Sequence, residues 1–214
     1  MDTKSLDKLD SSPRLKVMHI LIDIDDTLTD TTVSWQDLIE EATGARPNPA
    51  QVAGAGPFAQ SGLTRPEFER LIDRIYHAPK RIRGNQIYPG AATVISAWRA
   101  AGHRVTVASD RRAARRAVTA AWLASSGVSY DELILRRHLD KAALARRIGA
   151  DLAIDDRPLN LRRFTRESPS LHLATILTSE NAPYLAEFPD LVVAKDWPAL
   201  AVALVPFLGG SSEA

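Results

Sequence analysis

Val17-Met18-His19-Ile20-Leu21-Ile22, followed directly by Asp23-Ile24-Asp25-Asp26-Thr27, is the stretch from which the fold can be read. Residues 17–22 are mostly apolar and do not alternate with polar ones. That is the pattern of a strand buried on both faces, as in a parallel sheet. Carboxylates directly after such a strand stand at its carboxyl end, where open α/β sheets bind ligands. Packed this closely, they repel one another unless a cation or a substrate proton compensates. A calcium loop needs Gly at its sixth position and Glu at its twelfth. Counted from Asp23 these are Leu28 and Ser34, so that reading fails. A solvated acidic turn stays open on this motif alone.

Further along the chain, residues 91–101 set Val94, Ile95, Trp98 and Ala101 at helical spacing, with Gly102 in the position of a C-terminal glycine. Residues 104–108 read as a strand. A helix is expected over 112–125, burying Ala114, Val118, Ala121 and Trp122 and exposing Arg111, Arg112, Arg115 and Arg116. Strands follow at 133–135 and 152–154, with a helix at 141–148 between them. Runs at 171–177 and 191–194 read as strands and 198–208 as a last helix. No element is assigned to 155–170. This alternation predicts an α/β fold with a Rossmann-like parallel sheet core and right-handed crossovers. From about 31 to 88 no strand pattern occurs, which predicts a small helical cap inserted after the first strand. The expected division is a disordered tail over 1–14, a core over 15–30 and 89–210, and a cap over 31–88.

The chain has 214 residues, enough for one domain with a modest insertion. Lys+Arg is 27 and Asp+Glu is 26, so the net charge of +1 gives no push toward nucleic acid. Cysteine is absent, which excludes disulfides, thiolate catalysis and thiolate metal sites. No apolar run is long enough to span a bilayer. Residues 1–12 lack the apolar stretch of a signal peptide. A cytoplasmic protein without a membrane partner is expected, as a monomer or a homodimer.

Three further features carry chemistry. Asp155-Asp156 again follows a strand, and two acidic clusters at one sheet edge form an oxygen-rich cage. Hard cations suit such a cage, Mg²⁺ above all where a phosphate supplies further oxygens. Ser109 ends a strand, where its hydroxyl can donate to a phosphoryl oxygen or cap a helix. Lys141 begins a helix and can neutralise a carboxylate cluster or a phosphate, or simply lie in solvent.

Taken in order, Asp23-x-Asp25-x-Thr27, Ser109, Lys141 and Asp155-Asp156 resemble the haloacid dehalogenase superfamily over about residues 16–195. Tyr88-Pro89-Gly90-Ala91, Trp122-Leu123, Tyr130-Asp131, Ile154-Asp155-Asp156-Arg157-Pro158 and Asp196-Trp197 are similar to the 5'(3')-deoxyribonucleotidase branch. The chain departs from that branch at Asp26, where Gly is usual, and at Ala108-Ser109-Asp110.

The resemblance implies a Mg²⁺-dependent phosphomonoesterase with Asp23 as nucleophile and Asp25 as acid and base. It implies metal binding by Asp23, Asp25, Asp155 and Asp156, with the main-chain carbonyl of Asp25 as the ligand and Asp156 acting through water. It implies phosphate binding by Thr27, Ser109 and Lys141, with Thr27 also bracing the loop. Trp35, only a short chain beyond Thr27, is expected near the substrate, with Phe58 in the same cap, whereas Phe68 and Tyr76, at helical spacing, are expected to pack the cap's own core; Arg111 is a further candidate. The expected partner is a small phosphate ester, foremost a nucleoside monophosphate. The competing readings are another metabolite phosphatase, a nucleic-acid end-processing phosphatase, phosphoryl transfer between sugar positions, and a non-catalytic binding protein.

Overall fold

The computed structural model describes residues 17–47, 62–178 and 181–209. The tail expected over 1–14, Phe58 and the side chain of Tyr76 lie outside what is described. In chain order come β1 (His19–Ile22), α1 (Thr32–Thr43), α2 (Arg65–His77), α3 (Pro79–Gly84), α4 (Ala91–Ala100), β2 (Arg104–Ser109) and α5 (Arg116–Ser125). Then come β3 (Glu132–Leu135), α6 (Lys141–Ile148), β4 (Leu152–Ile154), α7 (Pro158–Glu167), β5 (His172–Ile176), β6 (Val192–Ala194) and α8 (Trp197–Leu208). The strands form one sheet in the order β3-β2-β1-β4-β5-β6, with every neighbouring pair parallel. The strand order reverses beside β1, which therefore lies at the switch point where such sheets bind ligands.

β1 is apolar throughout because both of its faces are covered. Ile20 and Ile22 pack with Val94, Ile95 and Trp98 of α4 and with Trp197 of α8. Leu21 points the other way, onto Ala142 and Leu144 of α6 and Phe164 of α7. Each such side chain contributes about 1.5–3 kcal/mol on full burial, so one short strand anchors both helical layers.

Two local expectations are corrected. Residues 155–170 hold α7, a helix started by Pro158 and burying only Leu161 and Phe164. Two apolar anchors in a polar stretch are too few to show a helical period. The helix expected from 112 begins at Arg116, after a 3₁₀ turn at Ala113–Arg115. The tighter turn shifts the phase of the α-helix after it. The buried residues are therefore Thr119, Trp122 and Leu123, while Ala114 and Ala121 are exposed.

In the insertion, α1 and α2 pack through Trp35, Leu38, Ile39, Phe68 and Leu71. The two segments joining insertion and sheet run side by side, with Thr29 bridged to Ile87 and Tyr88 N–H donating to the Leu28 carbonyl at 2.8 Å. Ile82 of α3 is packed in the larger sheet cluster.

Two distant sequence pieces meet beneath the loop after β1. Gly90 has φ 83°, and a Cβ there would lie 2.8 Å from Pro198 Cδ. Asp196 caps α8 by accepting from Ala199 N–H at 2.8 Å. The Trp197 indole N–H donates to the Thr27 carbonyl at 3.0 Å. The Tyr-Pro-Gly and Asp-Trp-Pro stretches thus act together to hold that loop.

Candidate active site

Strand register builds the site. Ile22 lies opposite both Val107 of β2 and Ile154 of β4. The next residues, Asp23 and Asp155, therefore emerge side by side at the carboxyl edge, and Asp23 N–H donates to the Ile154 carbonyl at 3.0 Å. Ser109 ends β2 on the other flank of β1. Lys141 is the first residue of α6, whose start is fixed by Asp140 accepting from Ala143 N–H at 3.0 Å.

The Lys141 ammonium donates to Asp155 Oδ2 at 2.6 Å and pairs with Asp23 Oδ2 at 2.8 Å. It is buried, not solvated. Burial works against its charge, but Asp155 and Asp23 outweigh that and hold the ammonium above its ordinary range. One carboxylate oxygen from each of Asp23, Asp155 and Asp156 lies within 4.8 Å of the others. Burial pushes Asp23 up to about 7 against the pull of Lys141, with Asp155 and Asp25 pushing in the same direction as burial. Burial also pushes Asp156 well above the carboxylate range, and Asp26, Asp155 and Asp23 add to it. This buried group is short of positive charge. An all-oxygen donor set in that condition fits a hard divalent cation, whose charge removes the repulsion.

Asp155 is oriented by more than Lys141. Its Oδ1 accepts from Arg157 N–H at 2.9 Å, and Asn160 Nδ2 donates to both of its oxygens at 3.0 Å. Asn160 was not legible as a site residue. Its only signal is a place in the helical turn directly after an acidic pair. Thr27 is fully buried and donates its hydroxyl to Asp156 Oδ1 at 3.0 Å. The structure therefore shows Thr27 bracing Asp156.

Asp26 explains itself through its backbone, at φ 60°. Aspartate tolerates this left-handed conformation better than most residues with a Cβ. Its carboxylate also accepts from the Thr31 N–H at 2.8 Å and the Thr31 hydroxyl at 2.7 Å. Where Gly would supply only the conformation, Asp26 adds a tether to the start of α1.

Asp25 receives donors on both oxygens. Arg111 Nη2 donates to Oδ1 at 2.7 Å and Arg111 Nε to Oδ2 at 3.1 Å. Ser109 Oγ donates to Oδ2 at 3.2 Å. The expectation that Arg111 lies on an exposed helix face is corrected: it is 1% exposed. It precedes the 3₁₀ turn and points inward, its guanidinium 5.0 Å from the centre of the Trp122 ring.

Trp35 does not offer a free aromatic surface. It is 6% exposed and stacks on Phe68, ring centroids 5.2 Å apart, inside the insertion's own core. The chain between Thr27 and Trp35 is short, but Asp26 and Thr31 start α1 at once and turn the ring into the helix pair. Arg46 is tied to Asp37 at 2.9 Å and Glu40 at 2.8 Å on the insertion surface. We expect Trp35→Ala to cost about 3–5 kcal/mol of packing. The readouts are a lower thermal midpoint and faster proteolysis within α1 and α2; an unchanged midpoint would show that the insertion does not depend on this stack.

The insertion stands at the same sheet edge. Asp73 of α2 pairs with Arg112 at 2.6 Å and Arg137 at 3.1 Å, residues just beyond β2 and β3. Among the described residues, no helix is long and apolar enough to cross a membrane.

Residues 16–199 match the family described as "5' nucleotidase, deoxy (Pyrimidine), cytosolic type C protein". No curated protein sequence matches the chain. Among solved structures, a predicted phosphatase from Clostridium acetobutylicum is similar with TM-score 0.67 and 13% identity, over 89% of this chain and 100% of that one. A predicted phosphoglycolate phosphatase from Haemophilus somnus gives TM-score 0.62 and 16% identity, over 88% of this chain and 96% of that one. A HAD family hydrolase from Deinococcus radiodurans, with bound phosphate and sodium, gives TM-score 0.59 and 16% identity, over 89% and 96%. At these identities the structures speak for the fold. The family match runs from before β1 into α8 and takes in the whole sheet, so the chain belongs to the cytosolic type C deoxy 5'-nucleotidase family of the haloacid dehalogenase superfamily and is a phosphatase.

Proposed function

We propose that this phosphatase hydrolyses its ester with Mg²⁺ and through an aspartyl-phosphate on Asp23, and that the ester is a nucleoside monophosphate. The observation that carries the mechanism is the grouping of buried Asp23, Asp155 and Asp156 at the switch point of the sheet, the first two paired with buried Lys141. Asp23, Asp155 and the main-chain carbonyl of Asp25 would hold the metal, with Asp156 acting through water. Bound Mg²⁺ supplies the positive charge that lets a carboxylate approach a phosphate dianion.

The residues then divide the work. The Asp23 carboxylate attacks phosphorus, the bond from phosphorus to the leaving oxygen breaks, and that oxygen takes a proton from Asp25. Water next attacks phosphorus and gives a proton to Asp25. The bond from Asp23 to phosphorus breaks, and phosphate leaves. Lys141 holds Asp23 and, with Ser109, meets the phosphoryl oxygens.

Family membership supports the nucleotide. Trp35 is withdrawn as its base platform, because its ring is engaged with Phe68. A small ester also accords with a net charge of +1, which gives little support to a nucleic-acid substrate. The test is phosphate release with Mg²⁺ from deoxyribonucleotides, ribonucleotides, sugar phosphates and phosphoglycolate. A nucleoside monophosphate should have the highest kcat/KM. A sugar phosphate or phosphoglycolate ahead of every nucleotide would overturn the substrate reading, and transfer of phosphate without its release would overturn hydrolysis.

A further inference from the structure

We propose that Arg111 is the positioning residue of Asp25, fixing the place of the carboxyl that serves first the leaving group and then the attacking water. The assignment rests on the reading of Asp25 as acid and base. It is carried by a buried chain of contacts. Arg111 grips Asp25 as a two-pronged fork, at 2.7 and 3.1 Å. The arginine side chain is 0% exposed while that of Asp25 keeps 15%. The fork thus holds the carboxyl from its buried side while part of the carboxyl stays exposed. Behind the fork lies Trp122, 5.0 Å away and itself fixed by donating its indole N–H to the Asn85 carbonyl at 2.8 Å. In front, Ser109 Oγ accepts from Arg111 N–H and donates to Asp25 Oδ2, both at 3.2 Å.

Stability does not explain this arrangement. Arg111 Nη1 is buried without a hydrogen-bond partner. A buried ion pair that leaves a donor unmade is a poor stabiliser compared with apolar packing of the same volume. Its use is geometric. A planar fork fixes both oxygens of a carboxylate, which a lysine cannot do. A carboxyl that acts in two successive steps needs one fixed place, because a displacement of about 1 Å costs on the order of 10²-fold in rate.

The experiment compares two esters. A nucleoside monophosphate has an alkoxide leaving group that needs a proton, whereas the anion leaving p-nitrophenyl phosphate does not. In kcat/KM, which stops at the first irreversible step, Arg111→Gln should lose about 10²-fold on the nucleotide but less than about tenfold on the aryl ester, with little change in KM. In an Asp25→Asn background, Arg111→Gln should cost nothing more.

Equal losses on both esters with a raised KM would make Arg111 a phosphate ligand and overturn the assignment. Additive losses in the double variant, or no loss at all, would overturn it too. If Arg111→Gln does not fold, Arg111→Lys keeps the charge and most of the volume and should show the same ratio. Failure of both to fold would make the residue structural and end the proposal. A wild-type chain inactive on both esters would overturn the hydrolase reading and this assignment with it. Wild-type activity with an unchanged ratio overturns this assignment alone.

Discussion

Asp23→Asn is expected to fold and to lose turnover by on the order of 10⁴-fold or more. An amide oxygen is a poor nucleophile, and the neighbouring Asp155 and Asp25 are engaged elsewhere. Asp155 is held by Lys141, Arg157 and Asn160, and Asp25 by Arg111 and Ser109. Folding should survive because the change removes a carboxyl that burial already disfavours in its charged form, pushing it up to about 7. Asn keeps the shape and removes the repulsion with Asp155 and Asp25, while giving up half of the Lys141 ion pair. The thermal midpoint near neutral pH should therefore shift little while phosphate release collapses. Near-normal turnover in purified, folded Asp23→Asn protein would sink the covalent mechanism.

Removal of divalent metal should abolish activity, and Mg²⁺ or Mn²⁺ should restore it. Excess Ca²⁺ should inhibit, since it takes more ligands and can let both Asp23 oxygens chelate it. The same metal should stabilise the fold in a pH-dependent way. Asp23 rises from an ordinary 3.8 to about 7 in the metal-free fold. A raised carboxyl contributes stability that is complete below the unfolded value and is lost as pH rises through the folded one. Between these values the metal-free fold thus becomes less stable, and a cation that replaces the proton offsets the loss. The rise in thermal midpoint on adding Mg²⁺ should be larger near about pH 8 than near about pH 6. Equal rises would count against the site, as would full activity after exhaustive EDTA treatment. Asp155→Ala should weaken metal binding more than Asp156→Ala, because Asp155 is the carboxylate on which Lys141, Arg157 and Asn160 converge.

Local order along the chain was enough to place the sheet and its edge. A short apolar run without alternation has the pattern of an interior strand, and the acidic residues directly after two such runs emerge at the same edge once the strands are parallel neighbours. Those inferences use period, length and adjacency, which the chain displays without being folded. The direction of a side chain beyond a strand end is another matter. Arg111 reads like its neighbours Arg112, Arg115 and Arg116, yet it alone of the four turns inward onto Asp25 and Trp122, because the 3₁₀ turn after it delays the helix. Trp35 reads as a residue near the site, yet the tether between Asp26 and Thr31 commits it to Phe68. Thr27 reads as a phosphate donor and a brace for the loop, and the fold sets its hydroxyl on Asp156, while Asn160 carries no periodic signal at all. A parallel sheet with carboxylates at the carboxyl ends of β1 and β4 was therefore legible in the amino-acid order alone. Which cation meets which carboxylate is settled only in the folded chain, because that choice depends on helix phase, burial and contacts between segments far apart in sequence.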